Sequence, residues 1–343
     1  MPMREPAFWW GKRGLAAGAL APLAAIYGGV AAARLAKSGA RAERPVVCVG
    51  NLTVGGAGKT PTALAIAGFL ASAGEQPAFL TRGYGGRLAG PLLVEPARHH
   101  AAEVGDEPLL LARAAPTIVA RERVAGAALA VKCRAGAVVM DDGFQNPSLT
   151  KDFSVLVLDG RRGVGNGCVV PAGPLRAPVI VQLERAQALI VVGPALDSAK
   201  TVANVARAQG IPVFAARLEP DAGALATLRG KRVLAFAGIG DPERFFATLA
   251  AAGIAVAAKR GFADHHRYTE PEARTLCEAA DRDGLTLVTT EKDQARLAGE
   301  SHLVTLAQRV HPLPVALKLE DEVRFKSLLL QHIAAARQWI ANG

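Results

Sequence analysis

Short apolar runs recur along the first two thirds of the chain, and each is followed by a stretch with helical spacing. The runs are Pro45 to Val49, Pro77 to Leu80, Thr117 to Ala120, Ala137 to Met140, Phe153 to Leu158 and Leu189 to Val192. This alternation predicts a mostly parallel sheet with helices on both faces. A second series starts at Arg232 with Val233-Leu234-Ala235-Phe236, passes the helix-start signal Asp241-Pro242-Glu243 and reaches Leu285-Thr286-Leu287-Val288. Between the two series, Glu219-Pro220-Asp221-Ala222-Gly223 carries turn chemistry. The expected organisation is an N-terminal segment 1–36, a larger α/β unit 37–225 and a smaller α/β unit 226–343 that contributes to the active-site cleft. The final stretch, Glu320 to Ile340, has helical periodicity and could pack on either unit.

The N-terminal segment departs from this pattern. No charged residue occurs from Gly14 to Ala33, whereas Lys12 and Arg13 precede that stretch and Arg34, Lys37 and Arg41 follow it. Phe8, Trp9 and Trp10 sit just before it, where a membrane interface favours aromatic rings. Its length approaches the roughly 20 residues needed to cross a bilayer. It is also rich in alanine and glycine and contains Pro22. A single membrane-associated helix is expected, either spanning or lying in the interface. A cleaved signal peptide is the competing reading, but a nucleotide loop, which needs cytoplasmic ATP, follows directly.

Composition narrows the partners. A chain of 343 residues that is 50% hydrophobic can bury two cores. The formal net charge of +10 favours an anionic partner such as nucleic acid, a membrane surface or a phosphorylated substrate. Only 5% of residues are aromatic, and no basic stretch is interleaved with aromatics, which argues against nucleic acid. Cys48, Cys133, Cys168 and Cys277 stand far apart with no CxxC pair, so neither a disulfide framework nor a cysteine metal cluster is expected. A reducing cytoplasm fits that usage.

The strongest chemical signal is GNLTVGGAGKTPT at Gly50 to Thr62, set between the apolar run Pro45 to Val49 and the apolar segment Ala63 to Leu70. Strand, glycine loop and helix in that order form a P-loop NTPase-type phosphate cradle of Thr53, Val54, Gly55, Gly56, Ala57 and Gly58. Lys59 would reach the β- and γ-phosphates of a nucleoside triphosphate, and the Thr60 hydroxyl is placed for magnesium. Thr53 stands where the first glycine of such loops is usual. The strand Ala137 to Met140 ends in Asp141-Asp142-Gly143-Phe144-Gln145, which puts two carboxylates at the carboxyl edge of the sheet, where a P-loop enzyme keeps its magnesium acid. Alternation points them to opposite sides, and either could meet the metal.

Other segments are more ambiguous. Gly105-Asp106-Glu107-Pro108 opens an apolar helix, so its acids suit either helix capping or a general base with a metal-shell carboxylate. Phe262-Ala263-Asp264-His265-His266 sets imidazoles beside an acid, a pattern for sharing a proton that is equally a surface or core histidine pair. Thr81-Arg82-Gly83-Tyr84-Gly85 and Pro171-Ala172-Gly173-Pro174-Leu175-Arg176 each present an arginine suited to phosphate or simply to solvent.

Taken in order, these segments resemble the tetraacyldisaccharide 4'-kinase family, membrane-associated enzymes of lipid A synthesis. The resemblance is carried by the apolar N-terminus, GNLTVGGAGKTP at 50–61, TRGYGG at 81–86, GDEP at 105–108, DDGFQ at 141–145, PAGPLR at 171–176, FADHH at 262–266 and TTEKD at 289–293. Thr53 is in keeping with the family, whereas Ala177 replaces the glutamate common after PLR. The resemblance implies transfer of the ATP γ-phosphoryl group to the 4'-hydroxyl of a tetraacyldisaccharide 1-phosphate. It gives Asp106 as proton acceptor, supported by His265 from the second unit, with His266 the weaker candidate. Lys59 and the loop amides would hold ATP, and Arg176 would offset its charge. Thr60 with Glu107, Asp141 or Asp142 would organise magnesium. Arg82, Tyr84 and Gln145 would meet the lipid headgroup.

It further implies an inner-membrane enzyme working on the cytoplasmic face, anchored by the N-terminal helix, with closure of the two units over ATP and no obligate protein partner. The competing classes are a nucleotide-switch GTPase and a soluble P-loop small-molecule kinase. The first lacks an Asn-Lys-x-Asp guanine-reading signature, and the second leaves the apolar N-terminus unexplained.

Overall fold

The computed structural model describes residues 5–342. Its main sheet contains β1 (Val46–Asn51), β2 (Pro77–Thr81), β3 (Leu92–Leu93), β4 (Thr117–Val119), β5 (Ala137–Asp141), β6 (Phe153–Asp159), β7 (Ala188–Val192) and β8 (Val213–Pro220). The second sheet uses β9 (Arg232–Ala237), β10 (Ala255–Gly261), β11 (Thr286–Thr290) and β12 (His311–Leu313). A last strand, β13 (Val315–Leu319), returns to the main sheet, whose order is β13-β8-β7-β6-β1-β5-β2-β4-β3. Pairing is parallel except at the edges, where β13 and β3 run antiparallel to β8 and β4.

Every residue of β1, β5 and β6 is buried, because helices cover both faces of a parallel sheet. On one face Val47 and Val49 pack with Ala63, Ile66 and Leu70 of the helix Lys59–Ser72. On the other, Val46 and Cys48 pack with Ala127 and Ala130 of the helix Arg123–Lys132. Alternation along one strand thus serves two cores. The second sheet, order β10-β9-β11-β12 and parallel throughout, is likewise covered on both faces.

The end of the chain corrects the expected boundary. Residues beyond β12 do not stay with the 226–343 unit: β13 pairs with β8, and the helix Glu322–Asn342 buries Phe325, Leu329 and Ile333 against the core holding Phe153 and Phe214. The apolar spacing of that helix fits the uncovered face of the main sheet, and Phe325 meets both aromatic rings at 5.1–6.1 Å between centroids.

The helix Leu15–Leu35 stands on the outside of this frame. Leu15, Leu23, Ile26, Tyr27 and Val30 are exposed, and its mean hydropathy of 1.7 over a charge-poor window meets the criterion for a membrane-crossing helix. Only its small residues, Ala17, Ala24 and Gly28, are buried, with Gly28 packed near Val169 and Pro178. Ahead of it, Trp9 is buried and donates from Nε1 to the Pro171 carbonyl at 3.0 Å. The aromatic cluster read as interfacial is therefore split, with Trp9 serving as a plug in the loop that leads to Arg176.

Candidate active site

The glycine loop leaves β1 between its neighbours β6 and β5, at the carboxyl edge of the sheet. Gly58, at φ +94°, turns the chain into the helix Lys59–Ser72, a conformation that glycine adopts without a Cβ penalty. That helix starts with no side-chain cap and no acid in its first turn, so its amides are left for an anion. Thr53 replaces a glycine without strain because the loop here is extended: Thr53 bridges Leu175, Val54 N donates to the Pro174 carbonyl at 2.8 Å, and Arg176 N donates to Leu52 O at 2.9 Å. The PAGPLR segment thereby braces the phosphate loop.

Lys59 Nζ lies 3.3 Å from the Gly55 carbonyl and 3.7 Å from Asp142. Burial lowers its pKa, with the Asp142 charge opposing. Arg176 forks onto Asp142 at 2.9 and 3.2 Å and donates from Nε to Thr53 O at 3.0 Å. Burial alone would raise the Asp142 carboxyl, but Lys59 and Arg176 hold it down to about 2. Asp141 differs: burial, then the charges of Glu107 and Asp142, pushes it up to about 7. Its Oδ2 accepts from the Thr60 hydroxyl at 3.4 Å, and its Oδ1 is buried without a partner. A buried, unpaired carboxylate oxygen beside a hydroxyl suits a divalent cation. Among the described residues, Glu107, Asp141 and Asp142 do not gather into one group of three metal-ligating side chains.

The second unit completes the cleft. His265 Nδ1 lies 3.3 Å from Asp106 Oδ1, and the Tyr84 and His265 ring centroids are 5.0 Å apart. Burial would lower the imidazole pKa, but Asp106 raises it; Asp106 in turn is held well below the usual carboxylate range by His265, Arg296 and Lys292 against its own burial. Gly105, at φ +92°, lets the helix Asp106–Leu111 start against the Tyr84 carbonyl, which a Cβ would strike. TRGYGG and GDEP are joined by that contact. His265 and Asp142 both have positive φ, 56° and 52°, rare for residues bearing a Cβ and typical of functional positions held by their surroundings.

Several expected residues sit differently. Gln145, expected at the headgroup, donates to Asn51 O and to Gln182 Oε1, each at 3.1 Å, and accepts from Arg176 at 3.2 Å. Both ends of its amide are engaged within the protein. Glu107 pairs with Lys292 of the second unit at 2.7 Å, and its charge still reaches Asp141. His266 turns away to Glu272 at 3.0 Å and stacks on Phe262. Arg82 and Tyr84 are exposed at the mouth.

Other participants carried weaker sequence signals. Lys292 and Arg296 follow the apolar strand Thr286–Thr290, and a basic residue just past a parallel strand's carboxyl end was the available clue. Arg123 is buried with Nε unpartnered. Glu5 reaches Gly55 and accepts from Trp10 at 3.0 Å and Arg162 at 3.1 Å; nothing in the local pattern foretold that contact.

A P-loop fold with a lysine, a threonine, two strand-end acids and a cross-domain Asp-His pair defines a nucleotide-dependent phosphotransferase. Residues 16–334 match the family model described as tetraacyldisaccharide-1-P 4'-kinase. Proteins named tetraacyldisaccharide 4'-kinase from Nitrobacter winogradskyi and Rhodopseudomonas palustris strain HaA2 are each 54% identical, across 98% of this chain and 99% and 98% of theirs. A crystal structure of LpxK from Aquifex aeolicus in complex with ATP superposes with a TM-score of 0.73 at 27% identity, covering 92% of this chain and 99% of that one. The chain belongs to the tetraacyldisaccharide 4'-kinase family.

Proposed function

We infer that the chain phosphorylates the 4'-hydroxyl of a tetraacyldisaccharide 1-phosphate with ATP, on the cytoplasmic face of the inner membrane, and that Asp106 and His265 handle the proton. The observation that carries this reading is their approach to 3.3 Å from opposite sides of the cleft, with the phosphate cradle at its base. In the transfer, the bond from γ-phosphorus to the β-γ bridging oxygen breaks and a bond to the sugar oxygen forms. The hydroxyl proton passes to the Asp-His pair, and ADP leaves. Asp106 is only 3% exposed, so the sugar approaches past the half-buried imidazole and the exposed Tyr84. Lys59, the loop amides and Arg176 counter the triphosphate charge. Arg176 would exchange part of its Asp142 pairing for phosphate.

Thr60 and Asp141 are the groups that would hold magnesium, with Asp142 and Glu107 within electrostatic reach of Asp141. When bound, the ion supplies neutralisation of charge on the transferring phosphoryl oxygens. The helix Leu15–Leu35 would hold the cleft at the membrane, where the acyl chains of the substrate remain. The basic balance of the chain favours an anionic bilayer surface.

The test is incubation of detergent-solubilised protein with Mg-ATP and the tetraacyldisaccharide 1-phosphate, read by mass spectrometry. A lipid product heavier by one phosphate, absent in Lys59→Ala, is expected. No product while ATP still binds would sink the assignment of the acceptor.

A further inference from the structure

Asp106 is gripped on two sides, and only one of them is the histidine. From the other, Arg296 donates through Nε at 2.9 Å and through Nη2 to Asp106 Oδ2, leaving Oδ1 to face His265. Arg296 is 7% exposed, and the remaining edge of its guanidinium is bound within its own unit: Nη1 donates to Asp293 Oδ1 at 2.7 Å and to the Gly238 carbonyl at 2.6 Å. Asp293 is completely buried and accepts from Gly238 N, Tyr268 Oη and Thr290 Oγ1. The Gly238 carbonyl also accepts from His265 N at 3.1 Å. One peptide therefore mounts both groups that touch Asp106, and both reach it only when the second unit lies against the first.

We propose that Arg296 is a positioning residue for phosphoryl transfer: its forked grip on Asp106 Oδ2 fixes the carboxylate so that Oδ1 meets His265, and it makes assembly of that pair conditional on domain closure. The inference rests on the lipid-kinase reading above. The physical reason is geometric. A carboxylate at a helix start can rotate about χ2; two guanidinium donors converging on Oδ2, with His265 on Oδ1, hold both oxygens, where the contact to His265 alone would hold one. Lys292, one turn earlier on the same helix, performs the parallel service for Glu107, so consecutive acids of one unit meet cations four residues apart on the other.

The experiment uses the full chain in detergent, with Arg296→Met, Arg296→Lys, His265→Ala and the double variant Arg296→Met/His265→Ala, reading kcat, KM for ATP and melting temperature. Arg296→Met should lower kcat by roughly 10²-fold, within the range for a positioned proton acceptor, while KM for ATP changes less than about threefold, because the phosphate cradle is untouched. Arg296→Lys, which keeps the charge and loses the fork, should stay folded and lose about tenfold in kcat. In the His265→Ala background, Arg296→Met should cost under about threefold more, since both act through one carboxylate. Wild-type kcat in Arg296→Lys would overturn the inference, as would a full multiplicative loss in the double variant, which marks a merely structural residue. If the wild-type chain itself leaves the lipid unphosphorylated, the kinase reading fails instead.

Discussion

At the scale of single residues, two carboxylates with opposite environments divide the work. Asp142 is paired with Lys59 and Arg176 and stays ionised, whereas Asp141 is buried, pushed up to about 7 and left with an orphaned oxygen. A cation beside Asp141 would relieve that penalty, so Asp141→Asn should raise the magnesium concentration for half-maximal activity by about tenfold, the scale expected when one ligand charge is lost. Magnesium titration of the phosphorylation assay checks this, and an unchanged midpoint would place the ion elsewhere. Asp106→Asn should lower kcat by roughly 10²–10⁴-fold with ATP affinity retained, as measured by nucleotide binding. Loss of folding in place of that split would return Asp106 to a capping role. The identity of these acids was legible because each follows a strand or opens a helix at the sheet's carboxyl edge. Their partners were not, because the contacts of Arg296 with Asp106 and of Gln145 with Asn51 span 190 and 94 residues of sequence, and local patterning carries no trace of them.

At the scale of elements, the phosphate loop and the N-terminal helix show where periodicity informs and where it is silent. The parallel strands were readable because burial on both faces leaves an uninterrupted apolar run, as in β1 and β5. The return of β13 and the helix Glu322–Asn342 to the main sheet was not, since an amphipathic helix states that it needs an apolar partner without saying which. The helix Leu15–Leu35 is a sharper case. Its small residues face the protein and its large ones, Leu23, Ile26 and Val30, face outward, the reverse of a core helix. Replacing those three with glutamine should move the protein from the membrane to the soluble fraction and leave the melting temperature within a few degrees, because none of the three is buried. Sedimentation of membranes from expressing cells reads the first, and thermal scanning the second. Deleting residues 1–36 should also release the protein, yet it removes Trp9 from the loop that leads to Arg176, so its effect on activity mixes two causes.

At the scale of the whole molecule, charged side chains join the two units. Besides the Asp106 and Glu107 pairs, Arg244 of the second unit donates to Asp159 at the end of β6 at 2.8 Å, and Arg267 donates to the Gly85 carbonyl at 3.0 Å. These contacts ring the cleft on several sides, which is why an Asp-His pair drawn from two units meets at hydrogen-bonding range. The family resemblance implied that the pair was split between units; only the assembled interface shows that the units also meet away from the chemistry. Arg244 provides the test, since it pairs with Asp159 and touches neither the phosphate cradle nor Asp106. Its side chain is a quarter exposed, at 26%, so solvent screening limits the pair to about 1 kcal/mol, or roughly fivefold in the closed population. Arg244→Ala should therefore slow turnover by up to about fivefold and raise the ionic-strength sensitivity of turnover less than a loss of Asp106 contacts would. X-ray scattering should show a larger radius of gyration for the variant with Mg-ATP than for the wild type under the same conditions. Equal radii and equal turnover would mean that the other contacts, the cation clamps on Asp106 and Glu107 and the Arg267 bond to Gly85 among them, hold the units together without Arg244.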